Sequence, residues 1–328
     1  MDKISFVLTL KINANPLGSD LERVKKILLP SFIKYFDLTQ IDVFWVVVPA
    51  DELKQVKEQL KGFPESLKLT VLNEEKILEF VPGWERERIA HGLLRILGKL
   101  EHKFTGKEHV YKYLKPREGW HTLGGWWKQQ LLKILAARMI KTSYYMIVDA
   151  DLCLVRPADL KALFPDGKAV YGRNKLKSKY DWWVGSARVL DVPLELKEEE
   201  EVISVTPQIL ATSVVRHLKD YLMLKSKEKG AKTLFEYLAK NSFWTEYTLY
   251  WLFLLRFYKK DDYYNDLPQG YALHSKCSTW FRDQAPDVQA LRQRIDLAFR
   301  QDNAIFLVVQ SACIPLSEYY EAIKGHLS

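Results

Sequence analysis

Apolar residues run without interruption from Ile4 to Leu10 and again through Val43 to Val48, the length and texture of strands buried on both faces. Between them Leu21, Val24, Ile27, Leu28 and Phe32 recur at helical spacing, predicting a helix over Leu21 to Tyr35 with Ser19 or Asp20 at its start. The second strand, Ile41 to Val48, is closed by Pro49; a charged helix from Ala50-Asp51 to Leu60 and a third strand over Leu67 to Leu72 follow. Alternation of this kind, β-α-β-α-β, predicts a parallel sheet covered by helices.

From Pro82 to His121 the pattern loses regularity, and Lys103 to Gly119 reads as a loop or an inserted hairpin. Regularity returns with a helix over Trp126 to Ile140, striped by Trp127, Leu131, Ile134, Leu135 and Met139, and then a strand over Tyr144 to Val148. Further on, Ala158 to Phe164 reads as a short helical turn, and Lys168 to Gly172 and Trp182 to Leu190 as strands. Glu198 to Glu201 reads as a solvated acidic loop, and Lys225 to Lys232 as exposed polar chain. Thr206-Pro207 is expected to open a helix ending at Leu222, Asn241 to Tyr258 to form an aromatic one, and Ile305 to Val309 to be the last strand. Without a repeat, a low-complexity tract or a Pro/Gly/Ser-rich linker, residues 1–328 are expected to form one continuous domain with an elaborated C-terminal half.

Composition narrows the class. Of 328 residues 48% are apolar and 27% charged, the profile of a globular chain able to bury a large core. Cys153, Cys277 and Cys313 are widely spaced and form no CxxC, so neither a disulfide framework nor a zinc site is expected, and a reducing, cytoplasmic setting fits. The first residues are too short an apolar run for a signal peptide, and no run reaches bilayer-spanning length. A net charge of +8 favours anionic partners, such as diphosphates or an anionic membrane surface that the chain would contact peripherally, and equally describes a solvated basic surface. Ten tryptophans suit both a core and a sugar-binding cleft. No GxSxG, HExxH, GxxxxGK[ST] or GxGxxG is present, so hydrolase, zincin, P-loop and dinucleotide-dehydrogenase readings lack their marks.

Asp149-Ala150-Asp151 carries the most chemistry. It ends the Tyr144–Val148 strand and is followed at once by Leu152-Cys153-Leu154-Val155, so two charges interrupt an apolar run. Strand alternation would point both carboxylates one way, and unpaired charges in such a setting need a cation or a ligand. Oxygen-only ligation with few protein carboxylates suits Mg²⁺ or Mn²⁺.

This helix–strand–DxD arrangement, with Arg156-Pro157 after it, resembles the core of GT-A glycosyltransferases. Gly125-Trp126-Trp127-Lys128-Gln129-Gln130, Val205-Thr206-Pro207, Trp244-Thr245-Glu246-Tyr247 and Val309-Gln310-Ser311 extend the resemblance to a little-studied bacterial group of polysaccharide glycosyltransferases, over roughly residues 120–312. It implies a GT-A, Rossmann-like fold, a nucleotide-sugar-binding half at 1–155 and an acceptor-binding half at 156–328 for a glycan or lipid-linked saccharide, with no nucleic-acid partner. It also implies Mn²⁺ or Mg²⁺ at the DxD, with Asp151 as direct ligand and Asp149 on the metal through water or on the donor ribose or sugar.

Within that reading Lys128, Gln129 and Gln130 are donor contacts, or else an exposed first helical turn. Glu246 is the carboxylate expected to take the acceptor's proton, or else a first-turn residue of a capped helix. His274 is a third metal ligand or a structural histidine; Trp244, Asp181 and Thr206 are acceptor contacts. Gly124-Gly125 would let backbone approach a phosphate, and Lys276 and Arg282 would clamp it; His91 and His121 have no partner at metal spacing. A metal-dependent nucleotidyl- or phosphotransferase would use the same carboxylates, and a non-enzymatic basic glycan- or anion-binding protein would need no metal.

Overall fold

A computed structural model describes residues 2–12, 17–81, 84–106, 125–197, 199–203, 205–241, 243–266, 272–280 and 286–328. The predicted hairpin or loop after Lys103, and Gly124, His121 and Arg282, lie wholly or largely outside these residues. Strands β1 (Ile4–Thr9), β2 (Ile41–Val48) and β3 (Leu69–Asn73) form where the apolar runs predict them, and β4 (Tyr144–Val148) matches its expected bounds. After β4 the chain turns into β5 (Leu152–Leu154), and β6 (Gln208–Ala211) closes the central sheet. The strand order is β3-β2-β1-β4-β6, all parallel except β6, which runs antiparallel to β4. The result is a mixed α/β fold with a mostly parallel central sheet flanked by helices. Its order reverses between β1 and β4, the switch point where open α/β sheets leave a crevice at their carboxyl ends.

The first helix, α1, runs Asp20–Arg23, Val24–Leu28 and Leu29–Tyr35 in continuous succession. Its middle segment is π-wound, with Leu29 N–H reaching Val24 O, one residue before Pro30. Proline has no N–H and its ring crowds the carbonyl a turn earlier, so the wider winding relieves that clash while Leu28, Leu29 and Phe32 stay buried. Phe6 of β1 seats this helix, its ring 5.0 Å from Phe32 and 5.3 Å from Phe36. Leu53–Leu60 forms α2.

The stretch that lacked a clear pattern contains a 22-residue helix, α3 (Trp84–Thr105). It escaped the sequence reading because many charges are interspersed among its apolar residues. No described helix is long and apolar enough to cross a membrane. The long helix before β4 is α4 (Gly125–Leu135), continued by a 3₁₀ turn at Ala136–Arg138.

Four expectations after β4 are corrected. Trp182 to Leu190 is helical, within α5 (Tyr180–Leu190); its apolar density comes from burial of Trp183, Val189 and Leu190 on one side of a helix. Lys168 to Gly172 forms no strand beyond a single bridge of Ala169 to Tyr264. Thr206-Pro207 is a cis bond leading into β6, and the helix α6 (Thr212–Glu228) starts after that strand and takes up part of the expected exposed segment. Glu201 belongs to a two-residue strand, Glu201–Val202, paired with Asn174–Lys175.

The aromatic helix is α7 (Glu246–Phe257), capped by Thr245, whose Oγ1 accepts the Thr248 N–H at 3.1 Å. A second sheet has the order β5-β8-β7, with β7 at Ala272–His274 and β8 at Ala304–Val308. Helices α8 (Val288–Arg300) and α9 (Leu316–Leu327) pack behind it around Leu307, Ile295 and Tyr319.

Candidate functional site

Asp149-Ala150-Asp151 occupies the corner where the chain leaves the central sheet for the second one. β4 ends at Val148, Leu152 N–H returns to Asp149 O at 3.3 Å, and β5 begins. A turn rather than strand alternation therefore sets the pair. It sits at the carboxyl end of β4, beside the end of β1, since Leu8 is registered with Val148.

The two carboxylates have different surroundings. Asp149 is partly exposed, and its Oδ1 lies 2.9 Å from Lys133 Nζ. Asp151 is 6% exposed. Its Oδ2 accepts the Ser311 N–H at 3.4 Å and its Oδ1 is buried without a partner. Burial, then the charges of Asp149 and Asp20, push the Asp151 carboxyl up to about 7.

Lys133 was not singled out from sequence, where it sits unremarked on the apolar stripe of α4. In the fold it is buried and reaches Asp149 on one side and Glu246 Oε1, at 3.0 Å, on the other. Burial alone would lower its pKa, but the two carboxylates hold it well above the usual lysine value. Glu246 is 0% exposed, and burial raises its carboxyl despite the opposing pull of Lys133. Gln130, one turn before Lys133 on α4, turns its amide nitrogen to Glu246 once its oxygen and nitrogen are assigned by hydrogen bonding. Glu246 is the first residue of α7 and does not cap it; Thr245 and Thr248 do. Its oxygens are engaged within the protein rather than presented to an acceptor.

Asp20 and Arg23, also missed, come from the first turn of α1. Asp20 lies close enough to Asp151 to raise its carboxyl, with Ser311 against it; burial first, then Asp149, raises the Asp20 carboxyl itself to about 6 despite Arg23. Arg23 is fully buried. Its Nη2 donates to Ile314 O at 2.6 Å, while Nε and Nη1 have no partner. Thr9 Oγ1, at the end of β1, is likewise unpartnered. Asp20, Asp149, Asp151 and Glu246 set against Lys133 and Arg23 leave a formal excess of two negative charges. The signal that could have found Asp20 is the helix start following β1, since the first βα connection of such a sheet borders the crevice.

The remaining expected residues scatter. Lys128 pairs with buried Glu74, so its ammonium is already engaged, and Gln129 is half-buried beside it. Thr206 Oγ1 and Tyr247 Oη, neighbours short of hydrogen-bond geometry, are both buried without partners. Trp244 is wholly buried, its Nε1 donating to Leu238 O at 3.2 Å. Asp181 is exposed in the first turn of α5.

His274 stands on β7 in the second sheet, its Nε2 3.2 Å from Pro207 O, and burial depresses its pKa to about 4. A Cβ on Gly172 would fall 2.0 Å from its Cε1, so glycine is required there. Among the described residues no three His, Cys, Asp or Glu side chains group as a metal would require, so His274 is not brought to the aspartates. Lys276 is exposed, its backbone N–H held by Asp302. The Gln310-Ser311 segment does reach the site, through the Ser311 contacts with Asp151 and Asp20. A groove of about 520 Å³ along α5, bordered by Tyr180, Val184, Arg188 and Asp191, is not lined by the site carboxylates.

These features define an α/β protein with a carboxylate-rich, charge-unbalanced crevice at the switch point of its sheet. The chain belongs to a family described as a family of unknown function (DUF6492), whose model matches residues 1–327. No curated protein matches it. Among solved structures, mouse xyloside xylosyltransferase 1 in its apo form is similar with a TM-score of 0.47 at 10% identity, over 95% of this chain and 99% of that one. The bifunctional glycosyltransferase WbbM, also apo, gives 0.43 at 9% identity over all of this chain, which spans 50% of WbbM. A 4-diphosphocytidyl-2C-methyl-D-erythritol synthase from Anaerococcus prevotii gives 0.30 at 13% identity, covering 67% and 77% of the two chains.

Proposed function

We propose that this protein is a GT-A-type glycosyltransferase that moves a sugar from a nucleotide-diphosphate-sugar donor to a glycan or lipid-linked saccharide, in the cytoplasm. The observation that carries the reading is the unpartnered, buried Asp151 Oδ1 in a crevice with an excess of two negative charges. An oxygen-only donor set of that charge fits Mg²⁺ or Mn²⁺, with Asp151 as ligand, Asp149 beside it, and water and diphosphate oxygens completing the shell. When bound, the cation would neutralise the charge of a departing nucleoside diphosphate. The reading is of the same kind as the activities of the two glycosyltransferases above, and it rests on the site rather than on that likeness.

The chain's own groups then divide the work. Lys133 fixes the orientation of Asp149 and, from within the protein, offsets part of the negative charge beside the crevice. Glu246 and Gln130 hold Lys133 in place, so Glu246 is a positioning residue acting through Lys133. Gln129 and the backbone N–H of Ser311 border the donor.

The α3 helix supplies a surface for peripheral contact with an anionic membrane, where a lipid-linked acceptor would reside. Ile89, Leu93, Ile96, Leu97, Leu100 and Phe104 are all exposed at helical spacing. Lys99 and Lys103, one turn apart and exposed, add positive charge to the same helix, as in an interfacial helix.

The test is a thermal-shift panel of nucleotide sugars with and without Mn²⁺. The expected result is a stabilisation by one donor class that requires Mn²⁺ and is lost in Asp151→Asn; a ligand at a hundred times its Kd stabilises by about 2.7 kcal/mol. A full shift in Asp151→Asn removes the metal role, and no shift with any nucleotide sugar removes the function.

A further inference from the structure

A row of indoles leads from the Lys133–Glu246 pair to the surface. Trp244, two residues before Glu246, lies 5.2 Å from Trp127, which is one turn before Gln130 and nearly two before Lys133 on α4. Trp127 meets Trp126 at 4.7 Å, and Trp126 meets Trp182 of α5 at 5.8 Å. The inner two rings are ordinary packing: Trp244 is fully buried and Trp127 is half covered. The outer end is different. Trp126 is 41% exposed, Trp182 is partly exposed with Lys179 Nζ 4.6 Å from its ring centroid, and the Asp181 carboxylate next to it is exposed.

Flat aromatic faces with an exposed carboxylate on the neighbouring residue of the helix suit the two surfaces of a pyranose: apolar C–H faces for stacking and hydroxyls for hydrogen bonding. We infer that Trp126 and Trp182, with Asp181, form a saccharide-binding platform that receives the acceptor glycan at the outer end of the indole row. The ligand class is an oligosaccharide presenting a pyranose ring to the indoles and a hydroxyl to Asp181 Oδ. This deepens the glycosyltransferase reading and rests on it for the term acceptor, whereas saccharide binding itself does not depend on that reading.

The experiment uses the full chain on an array of hexose-, hexosamine- and uronate-containing oligosaccharides, with Trp126→Ala and Trp182→Ala compared at equal folded fraction by circular dichroism. The nucleotide-sugar thermal shift with Mn²⁺ is recorded in parallel. Wild type should bind a subset of the array, and each variant should bind it about tenfold more weakly, the worth of one stacking contact. The donor shift should be unchanged. Array binding equal to wild type in both variants, or no array binding by wild type, overturns the platform. So does loss of the donor shift in the tryptophan variants, since the rings would then serve the donor. Tryptophan-dependent glycan binding without any donor shift upholds the platform while removing the glycosyltransferase reading.

Discussion

Lys133 Nζ and Glu246 Oε1 meet at 3.0 Å inside the protein, the lysine from the helix before the aspartate corner and the glutamate from the first residue of α7. The same ammonium reaches Asp149 at 2.9 Å. One buried cation thus ties the two halves of the chain to the crevice. Removing one partner of a buried pair leaves the other charge uncompensated, which is costlier than replacing both.

Lys133→Met is therefore expected to destabilise the protein by roughly 3–5 kcal/mol, read by urea denaturation. The double variant Lys133→Met with Glu246→Leu should lose less than the sum of the two single losses. Simple additivity would show that the two side chains do not act as a unit.

Asp20 carries a cost in the free protein. Its pKa is raised to about 6 in the fold, so the folded state binds its proton more tightly than the unfolded chain. Stability from this group is present below pH 4 and is lost as pH rises through 6. Asp20→Asn should raise stability at pH 7 by up to roughly 3 kcal/mol and flatten the pH dependence between 4 and 6. Calorimetry of the metal-free protein across that range checks it, and a lowered Tm at pH 7 would count against the assignment.

For His274 the sign is opposite. Its folded pKa is depressed to about 4, so the unfolded chain takes up the proton first as pH falls. Its contribution is complete above pH 6.5 and declines to a floor near pH 4, by at most roughly 3 kcal/mol, less whatever the exposed edge of the ring relieves. His274→Asn should lose this slope in urea titrations at pH 4 to 7. A slope equal to wild type would place the acid sensitivity elsewhere.

If α3 meets an anionic bilayer, the protein should sediment with phosphatidylglycerol vesicles and not with phosphatidylcholine ones. Binding should fall as salt rises. Leu93→Asp with Leu97→Asp should abolish it without lowering Tm, because both residues are more than half exposed. Retained binding in that variant would remove α3 from the contact.

Much of the sheet was legible because central parallel strands, covered on both faces, leave apolar runs: β1, β4 and all of β2 after Asp42 formed on such runs, while the edge strand β3 is half-buried and mixes polar residues in. The aspartate pair was legible because two charges break a run that is otherwise apolar. Helix α5 was misread because Trp182 to Leu190 is too densely apolar to show its period, and α3 because its many charges obscured the apolar spacing.

The sequence by itself determined the β-α alternation and the acidic corner, since both depend on neighbours in the chain and on local burial. Which charges share the crevice was decided by the fold. Lys133 looks like one polar interruption of a helix stripe, Asp20 like a helix start, and Glu246 like a first-turn acid. Their meeting requires β1 to lie beside β4 and α7 to pack on α4. Electrostatic partnership falls off within a few ångströms, whereas sequence separation says nothing about distance once a chain has crossed a sheet.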